Sequence, residues 1–499
     1  MHAMGKVAGF LEYPRVDPTY RPVADRTQDY REFFGLLTEE ETRRQGARCM
    51  DCGVPFCHSL GCPLYNVIPN WSDMVYHGEW RKAYESLEST SSFPEITGRV
   101  CPAICEAACT LAVNTSPVAI RHIELSIIER AFENGWVVPH TPAFDTGKRV
   151  AVVGSGPSGL AAAQVLRRLG HLVVVFEKSV NVGGILRYGI PDFKLQKWIL
   201  DRRLDLMKQE GIRFETGTNV GEDISAHDLK QSFDVIVLAL GASQPRDLRI
   251  PGRELDSIHL AMDYLTQSNL FVAGVKKKDG IICAENKNVL VIGGGDTGAD
   301  CIGTAIRQRA KRLYQFEILP RPRVWDKAFN PDWPDWPKIL RSSSSHEEGC
   351  EREWSVATKR FSGSGTRVER GHFVRVEWKD NADGAVPEMV EIPGSEFTVD
   401  IDLVLLAMGF VHVEHGKLLQ DLGVALDEKG NIKTNGNYAT SAPGVFVAGD
   451  AMTGASLVAR AIWHGREAGA SCHNYLLTLH TSTQKSRNKT AHQGDSTRS

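Results

Sequence analysis

Residues 148–178 read KRVAVVGSGPSGLAAAQVLRRLGHLVVVFEK: an apolar run, a Gly-rich turn, an Ala-rich stretch of helical spacing, and a second apolar run closed by an acid. The order predicts strand, turn, helix, strand, the βαβ unit of a dinucleotide-binding fold. Gly154, Gly156 and Gly159 divide the work. The first permits a tight turn after a buried strand, the second leaves backbone open to a pyrophosphate, and the third lets helix and strand close up. A helix beginning at Pro157 and Ser158 offers free N–H groups and the positive end of its dipole to phosphate. Glu177, followed by Lys178, ends the second strand, where an acid accepts hydrogen bonds from both hydroxyls of an adenosine ribose.

Residues 286–319, NKNVLVIGGGDTGADCIGTAIRQRAKRLYQFEIL, repeat the design with Gly293, Gly295 and Gly298, with Asp296 and Thr297 opening the helix and Glu317 ending the strand. Two such units so far apart predict one nucleotide domain inserted in another. The inserted domain would leave near ALGASQPR (239–246) and return near LLAMGF (405–410). Residues 440–469, TSAPGVFVAGDAMTGASLVARAIWHGREAG, place a strand, then Gly449-Asp450, then Ser456-Leu457 before a helix. In flavoproteins with two dinucleotide domains, such an Asp bonds the ribityl chain and the helix N-terminus stabilises reduced flavin. That segment returns to the first nucleotide domain, which assigns FAD to 154–177 and NAD(P) to 293–317. The loop GGILRYGIPDFKL, with Gly183, Gly184 and Tyr188, would line the flavin.

Seven of the eleven cysteines lie between 49 and 109, as Cys49-x2-Cys52-x4-Cys57-x4-Cys62 and Cys101-x3-Cys105-x3-Cys109. With a flavin and a nicotinamide in the same chain, they read as iron–sulfur ligands, and Cys62-Pro63 and Cys101-Pro102 echo the Cys-Pro of cluster motifs. Structural zinc knuckles would also use such spacing, but zinc leaves a flavin with no onward acceptor. Seven thiolates are one short of two 4Fe-4S clusters. Cys283, Cys301, Cys350 and Cys472 are isolated, and a disulfide-reductase mechanism lacks the Cys-x-x-Cys it needs in the inserted domain.

The fold class expected is α/β: an N-terminal α-helical iron–sulfur domain, then two nested Rossmann-like dinucleotide-binding domains, the FAD domain split by the inserted NAD(P) domain. The boundaries are 1–145 for arm and cluster domain, 146–246 and 409–478 for the FAD domain, 247–408 for the NAD(P) domain with a Pro/Trp-rich irregular insertion at 319–360, and 479–499 for a disordered tail. The Pro-rich residues 1–30 read as an extended docking arm. DYREFFGLL (29–37), 71–90 and 118–135 read as helical. A net charge of −3 offers no basic field to nucleic acid or anionic lipid. No apolar run reaches membrane-spanning length, and the N-terminus lacks a signal-peptide core. A soluble cytoplasmic protein is expected, where clustered cysteines hold metal more often than they form disulfides.

CMDCGVPFCHSLGCPLYNVIPNW, GRVCPAICEAACTL, GSGPSGLAAA with FEK, GGILRYGIPDFKL, GGGDTGADC and VFVAGDAMTGASLVARAI together resemble the small (β) subunit family of bacterial glutamate synthase, from the arm to about residue 477. The same module occurs in dihydropyrimidine dehydrogenase. The resemblance implies interleaved ligands: Cys49, Cys52 and Cys57 with Cys109 on one 4Fe-4S cluster, and Cys62, Cys101 and Cys105 on a second. Glu124 stands at the position of the eighth ligand, with Glu129 the competing acid on the same helix. It further implies hydride transfer from NAD(P)H to FAD, with no catalytic acid or base, and electron flow through both clusters to a large (α) subunit in a hetero-oligomer. That partner would make L-glutamate from L-glutamine and 2-oxoglutarate, since nothing here reads as an amidotransferase.

One departure concerns the nicotinamide. Where many members carry paired arginines for a 2′-phosphate, this chain has Glu317 and postpones its basic residues to Arg321 and Arg323. NADPH is the expected donor from the bacterial family, with NADH as the alternative. Two other functions compete: an NAD(P)H:acceptor oxidoreductase subunit with a ferredoxin-linked or pyrimidine-reducing partner, and a redox-sensing or zinc-binding scaffold.

Overall fold

The structure, a computed structural model, describes the backbone of residues 6–380 and 387–493 and side chains up to residue 479. The chain divides into two compact units, one of residues 1–136, 185–200 and 245–410 and the other of 137–184, 201–244 and 411–499. Strands are numbered along the chain: β1 Arg149–Val153, β2 Leu172–Glu177, β3 Arg213–Thr216, β4 Val235–Leu238, β5 Ile258–Leu260, β6 Asn288–Ile292 and β7 Arg312–Glu317. The remainder are β8 Glu351–Trp354, β9 Val356–Ser362, β10 Arg370–Lys379, β11 Glu388–Glu391, β12 Phe397–Asp400, β13 Leu403–Leu406 and β14 Val445–Val447.

The unit that begins at residue 137 is built on a parallel sheet of order β14-β4-β1-β2-β3. Its central strands are apolar on both faces, as in a sheet covered by helices on each side, and Val150, Ala151 and Val152 are fully buried. The helix Pro157–Arg168 crosses from β1 to β2, and Val153 stands in register with Phe176, so the Gly-rich turn and Glu177 come to the same end of the sheet. Ligands of open parallel sheets bind at that carboxyl end.

The other unit repeats this arrangement with a parallel sheet of order β5-β13-β6-β7-β8. The helix Asp296–Arg307 crosses from β6 to β7, with Ile292 in register with Phe316. An antiparallel sheet of β9 to β12, centred on β10, packs Phe373, Phe361 and Ile401 against Phe316 of the parallel sheet. The stretch 319–360 is therefore irregular only in part: β8 and the start of β9 occupy 351–354 and 356–360, where β8 has β7 as a ready edge to pair with.

Residues 57–133 form short helices around the cysteines. The predicted helix over 71–90 is two helices, Ile68–Tyr76 and Trp80–Thr90, parted by Gly78 at φ +77°, and the one over 118–135 runs Ile120–Glu133. DYREFFGLL is not helical. Tertiary contacts override its propensity: Phe33 packs edge-on to Tyr20 at 5.0 Å and to Phe34 at 5.1 Å, Tyr20 bridges Phe34, and Glu32 is drawn to Arg99 at 2.8 Å.

The arm docks on its own chain. Arg26, 2% exposed, donates to Glu348 at 2.8 Å, and Arg307 donates to the same carboxylate at 2.6 Å and to the Arg26 carbonyl at 3.0 Å. Two guanidinium groups thus satisfy one buried carboxylate, the arrangement that makes a buried charge tolerable.

The C-terminal helix runs Val458–Gln493, beyond the boundary at which composition suggested a disordered tail. Neither Gly nor Pro interrupts 470–493, so nothing in the backbone ends the helix earlier; residues 494–499 lie outside the described residues. No helix among the described residues is long and apolar enough to cross a membrane.

Candidate functional site

The first Gly-rich turn is made by backbone that only glycine accommodates. Gly154 sits at φ +101°, where a Cβ would lie 2.3 Å from the Ala239 carbonyl oxygen, and a Cβ on Gly159 would lie 2.0 Å from that of Gly154. Gly156, the N-cap of the helix that starts at Pro157, would meet nothing within 4 Å. Its surroundings are open on the side where a pyrophosphate approaches. Glu177, 6% exposed, accepts from the Ser155 N–H at 3.2 Å, from the Ser155 hydroxyl and from the Ser179 N–H at 2.8 Å. Ser155 Oγ also accepts from the Gly183 N–H at 2.9 Å. Sequence reasoning missed Ser155, because the residue between two motif glycines carries no spacing signal. Gly184 packs on Gly156, since its Cβ would lie 2.8 Å from the Gly156 Cα.

Gly449 is the N-cap of the short helix Asp450–Thr453 at φ +71°, where a Cβ would strike Ser158 Oγ at 2.6 Å. Asp450 accepts from the Ser456 hydroxyl at 2.7 Å, and partial burial pushes its carboxyl above the ordinary aspartate value. Leu457 directly precedes the helix Val458–Gln493 and accepts from the Ala461 N–H at 2.9 Å. Gly154, Gly156, Pro157, Ser158, Gly159, Glu177, Lys178, Gly183, Gly184, Gly449, Asp450, Ser456 and Leu457 all fall in this one unit; Tyr188 belongs to the other. Lys178 faces Glu414 at 3.8 Å.

The second Gly-rich turn has the same construction. Gly293 is at φ +119° with a Cβ position 2.2 Å from the Ala407 oxygen, Gly298 would meet the Gly293 oxygen at 2.4 Å, and Gly295 meets nothing. Asp296 and Thr297 open the helix capped by Gly295. Glu317 accepts from the Gly294 N–H at 2.5 Å and the Leu319 N–H at 3.2 Å, much as Glu177 serves the first turn. The two basic residues beyond it are engaged elsewhere. Arg321 lies over the Trp354 ring at 5.2 Å, and Arg323 pairs with Asp332.

The cysteines fall into two groups. Cys49, Cys52, Cys57 and Cys109 line one cavity together with Ile68 and Leu111. Cys62, Cys101, Cys105 and Glu124 make the other: Glu124 raises the proton affinity of all three thiols, and Cys62 and Cys101 raise that of Cys105. Local backbone makes this split. The π-helical turn Cys57–Gly61 carries the chain from one group to the other, and Gly61 permits a close approach, its Cβ position being 2.7 Å from the Cys105 Cα.

Asp51, Tyr65 and Ala103, each two or three residues after a cysteine, adopt positive φ of 47°, 53° and 65°. Strain of this kind gathers at functional sites. Beside Tyr65 and Ala103, the Asn66 N–H donates to Cys62 Sγ and the Ala103 N–H to Cys101 Sγ, both at 3.5 Å.

Burial pushes the Cys49 and Cys62 thiols up to about 12 and Cys101 to about 11, and Cys57, Cys105 and Cys109 upward as well. Such thiols are inert as nucleophiles. They become thiolates when a metal centre supplies the positive charge. Of the two candidate acids, Glu129 is held by Arg99 at 2.7 Å, whereas Glu124 takes a hydrogen bond from Thr97. Burial raises the Glu124 carboxyl to about 7.

Among the described residues no three His, Cys, Asp or Glu side chains converge as a single ion would require. The thiols of Cys49, Cys52, Cys57 and Cys109 surround a space instead, which suits a cube of four irons. The residues thus fit thiolate-held clusters and a dinucleotide at each Gly-rich turn.

Comparison with known proteins agrees. Residues 26–136 match the family profile described as dihydropyrimidine dehydrogenase domain II, 4Fe-4S cluster, and residues 148–465 match the pyridine nucleotide-disulphide oxidoreductase profile. The glutamate synthase [NADPH] small chain of Mycobacterium tuberculosis is 51% identical over 95% of this chain and 96% of its own length, and that of Bacillus subtilis is 44% identical over 95% and 99%. The glutamate synthase [NADH] of Schizosaccharomyces pombe is 44% identical over 93% of this chain but only 22% of its own length. Among solved structures, Mycobacterium tuberculosis FprA in complex with NADPH superposes with a TM-score of 0.52 at 18% identity, covering 68% of this chain and 86% of that one, a likeness of fold alone.

A 4Fe-4S domain joined to an FAD- and NAD(P)-dependent oxidoreductase, with relatives that match it from end to end, places this chain in the glutamate synthase small-chain family.

Proposed function

We propose that this chain is the electron-input subunit of a cytoplasmic two-chain glutamate synthase, taking electrons from NADPH and delivering them to a large subunit that makes L-glutamate from L-glutamine and 2-oxoglutarate. The observation that carries this is the gathering of Cys109 with Cys49, Cys52 and Cys57 around one cavity, in a chain that also has two dinucleotide turns. When bound, FAD would accept a hydride from the nicotinamide and release single electrons to the clusters.

The chain's own residues hold and orient. Gly154, Gly156 and Gly159 with Pro157 and Ser158 receive the FAD pyrophosphate, and Glu177 with Lys178 its ribose. Gly449, Asp450, Ser456, Leu457, Gly183 and Gly184 are assigned to the flavin end. Gly293, Gly295, Asp296, Thr297 and Gly298 receive the nicotinamide dinucleotide. Cys49, Cys52, Cys57 and Cys109 hold the first cluster; Cys62, Cys101, Cys105 and Glu124 hold the second. Hydride transfer needs alignment rather than an acid or base, so no catalytic proton donor is assigned.

The test is anaerobic copurification with the large chain. About eight irons and one FAD are expected on the small chain by the cluster arithmetic, beyond those the large chain brings, with NADPH oxidation that requires both glutamine and 2-oxoglutarate. Stoichiometric zinc without flavin would instead identify a scaffold, and activity only with a different partner would identify another acceptor.

NADH is a second reading of the donor, favoured by Glu317. Its carboxylate ends β7 beside the Gly-rich turn, while Arg321 and Arg323 are engaged with Trp354 and Asp332. An acid there repels a 2′-phosphate. Glu317→Arg is expected to raise the NADPH-to-NADH ratio of kcat/KM about tenfold, roughly 1.4 kcal/mol. An unchanged ratio in steady-state kinetics would mean that residue 317 does not reach the ribose.

A further inference from the structure

The Pro- and Trp-rich excursion after β7 reaches the cysteine loops within the same compact unit. The Asn330 N–H donates to the Ala112 carbonyl at 2.7 Å, and its side-chain amide donates to that of Ala107 at 2.9 Å. The Trp333 indole N–H is shared between the carbonyls of Cys109 at 3.1 Å and Ala108 at 3.3 Å. These four carbonyls lie in the last turn of the helix Ile104–Ala107 and in the 3-10 turn Thr110–Val113, on either side of and at Cys109. Helices this short leave end carbonyls short of partners, although the Cys109 carbonyl also accepts from the Ala112 N–H of its own turn at 2.8 Å. The excursion supplies the donors.

Trp333 also touches the other sequence segment of the first cysteine group. Its ring lies 5.0 Å from that of Phe56, which precedes Cys57. Cys57 and Cys109 are far apart in sequence, and Trp333 contacts the segment of each.

The excursion is itself braced. Asn330 donates to the Asp335 carbonyl at 2.8 Å and accepts from the Asp332 N–H at 2.9 Å, Lys338 N–H donates to Asp332 at 2.8 Å, and Leu340 N–H donates to the Arg323 carbonyl at 2.8 Å. A loop tied this way transmits position to what it holds, as an outer shell does for metal ligands.

We propose that Asn330 and Trp333 form a clamp, contributed by the nicotinamide-type domain, that holds Cys109 against Cys57 and screens the first cluster from water. Trp333 is a positioning residue: it touches the segments that carry the ligands, and acts on the cluster through them. The proposal rests on the reading of Cys49, Cys52, Cys57 and Cys109 as cluster ligands. Its physical consequence is selective. Water admitted to one cluster stabilises the more negative, reduced state of that cluster and opens it to oxygen, while the cluster held by Cys62, Cys101 and Cys105 stays as it was.

The experiment compares the anaerobically purified complex of wild type, Trp333→Phe, Trp333→Ala and Asn330→Ala. FAD content, iron content, redox-titrated EPR signals and the loss of cluster absorbance in air are measured on each. In Trp333→Ala and Asn330→Ala, about half of the iron held by this chain is expected to be lost in air about tenfold faster, the order of magnitude of an outer-shell loss. One EPR signal shifts to a higher midpoint, the other keeps its own, and FAD stays stoichiometric. Trp333→Phe, which keeps the ring on Phe56 but loses the N–H, falls between. Variants whose two clusters decay together, or match wild type in both midpoints and lifetimes, overturn the clamp. If wild type itself holds no iron, the cluster reading fails first and the clamp with it.

Discussion

Cys57→Ser is expected to remove one cluster and to cut glutamine-dependent glutamate formation by more than about 100-fold, since loss of a ligand exceeds the 10–100-fold effect of losing a ligand's outer partner. Cys57 lines the same cavity as Cys49, Cys52 and Cys109 and is 9% exposed. A serine oxygen there is shorter and harder than a thiolate. Iron should fall from about eight to about four per chain, with FAD retained, because the first Gly-rich turn belongs to a different compact unit. Reduction of artificial dyes by NADPH should persist while delivery to the large chain stops. Loss of dye reduction with both clusters intact would reverse the electron order proposed here. Parallel iron analysis, EPR and the two assays read all of these from one preparation.

The second large effect separates two glycines three residues apart. In Gly159→Ala the new methyl would lie 2.0 Å from the Gly154 carbonyl oxygen, backbone against backbone. The helix Pro157–Arg168 must then move off β1, an overpacking cost of about 1–3 kcal/mol or more, and flavin binding is lost with the fold around it. Gly156→Ala meets nothing within 4 Å, and at φ −69° its backbone suits any residue. The apo fold should keep its Tm. FAD affinity should nevertheless fall about 100-fold, roughly 2.7 kcal/mol, because the pyrophosphate needs the space the methyl takes. Thermal melts paired with FAD retention after desalting distinguish the two. Wild-type FAD retention in Gly156→Ala would move the cofactor away from this turn.

Both nucleotide turns were legible in the sequence because their constraints are local. A turn at positive φ, a close helix–strand approach and an acid at a strand end each restrict a residue type at a fixed spacing, and periodicity does the rest for β1, β2, β6 and β7. The cysteine clusters were legible as composition. Their partition into two groups, with Cys109 joining Cys49, Cys52 and Cys57, came from family likeness and not from spacing.

The chain by itself therefore determined the paired dinucleotide folds and the presence of a thiolate-rich domain, both short-range matters of residue type and interval. Only the tertiary structure decided which distant groups meet: Glu129 with Arg99, which leaves Glu124, the acid the family likeness had pointed to, beside Cys62; 29–37 as irregular chain, where Phe33 and Phe34 pack on Tyr20 and each other; and Trp333 against Cys109. Each of these is a choice between partners remote in sequence, settled by burial and by the need to satisfy every buried donor and charge. Neither leaves a mark at any fixed spacing.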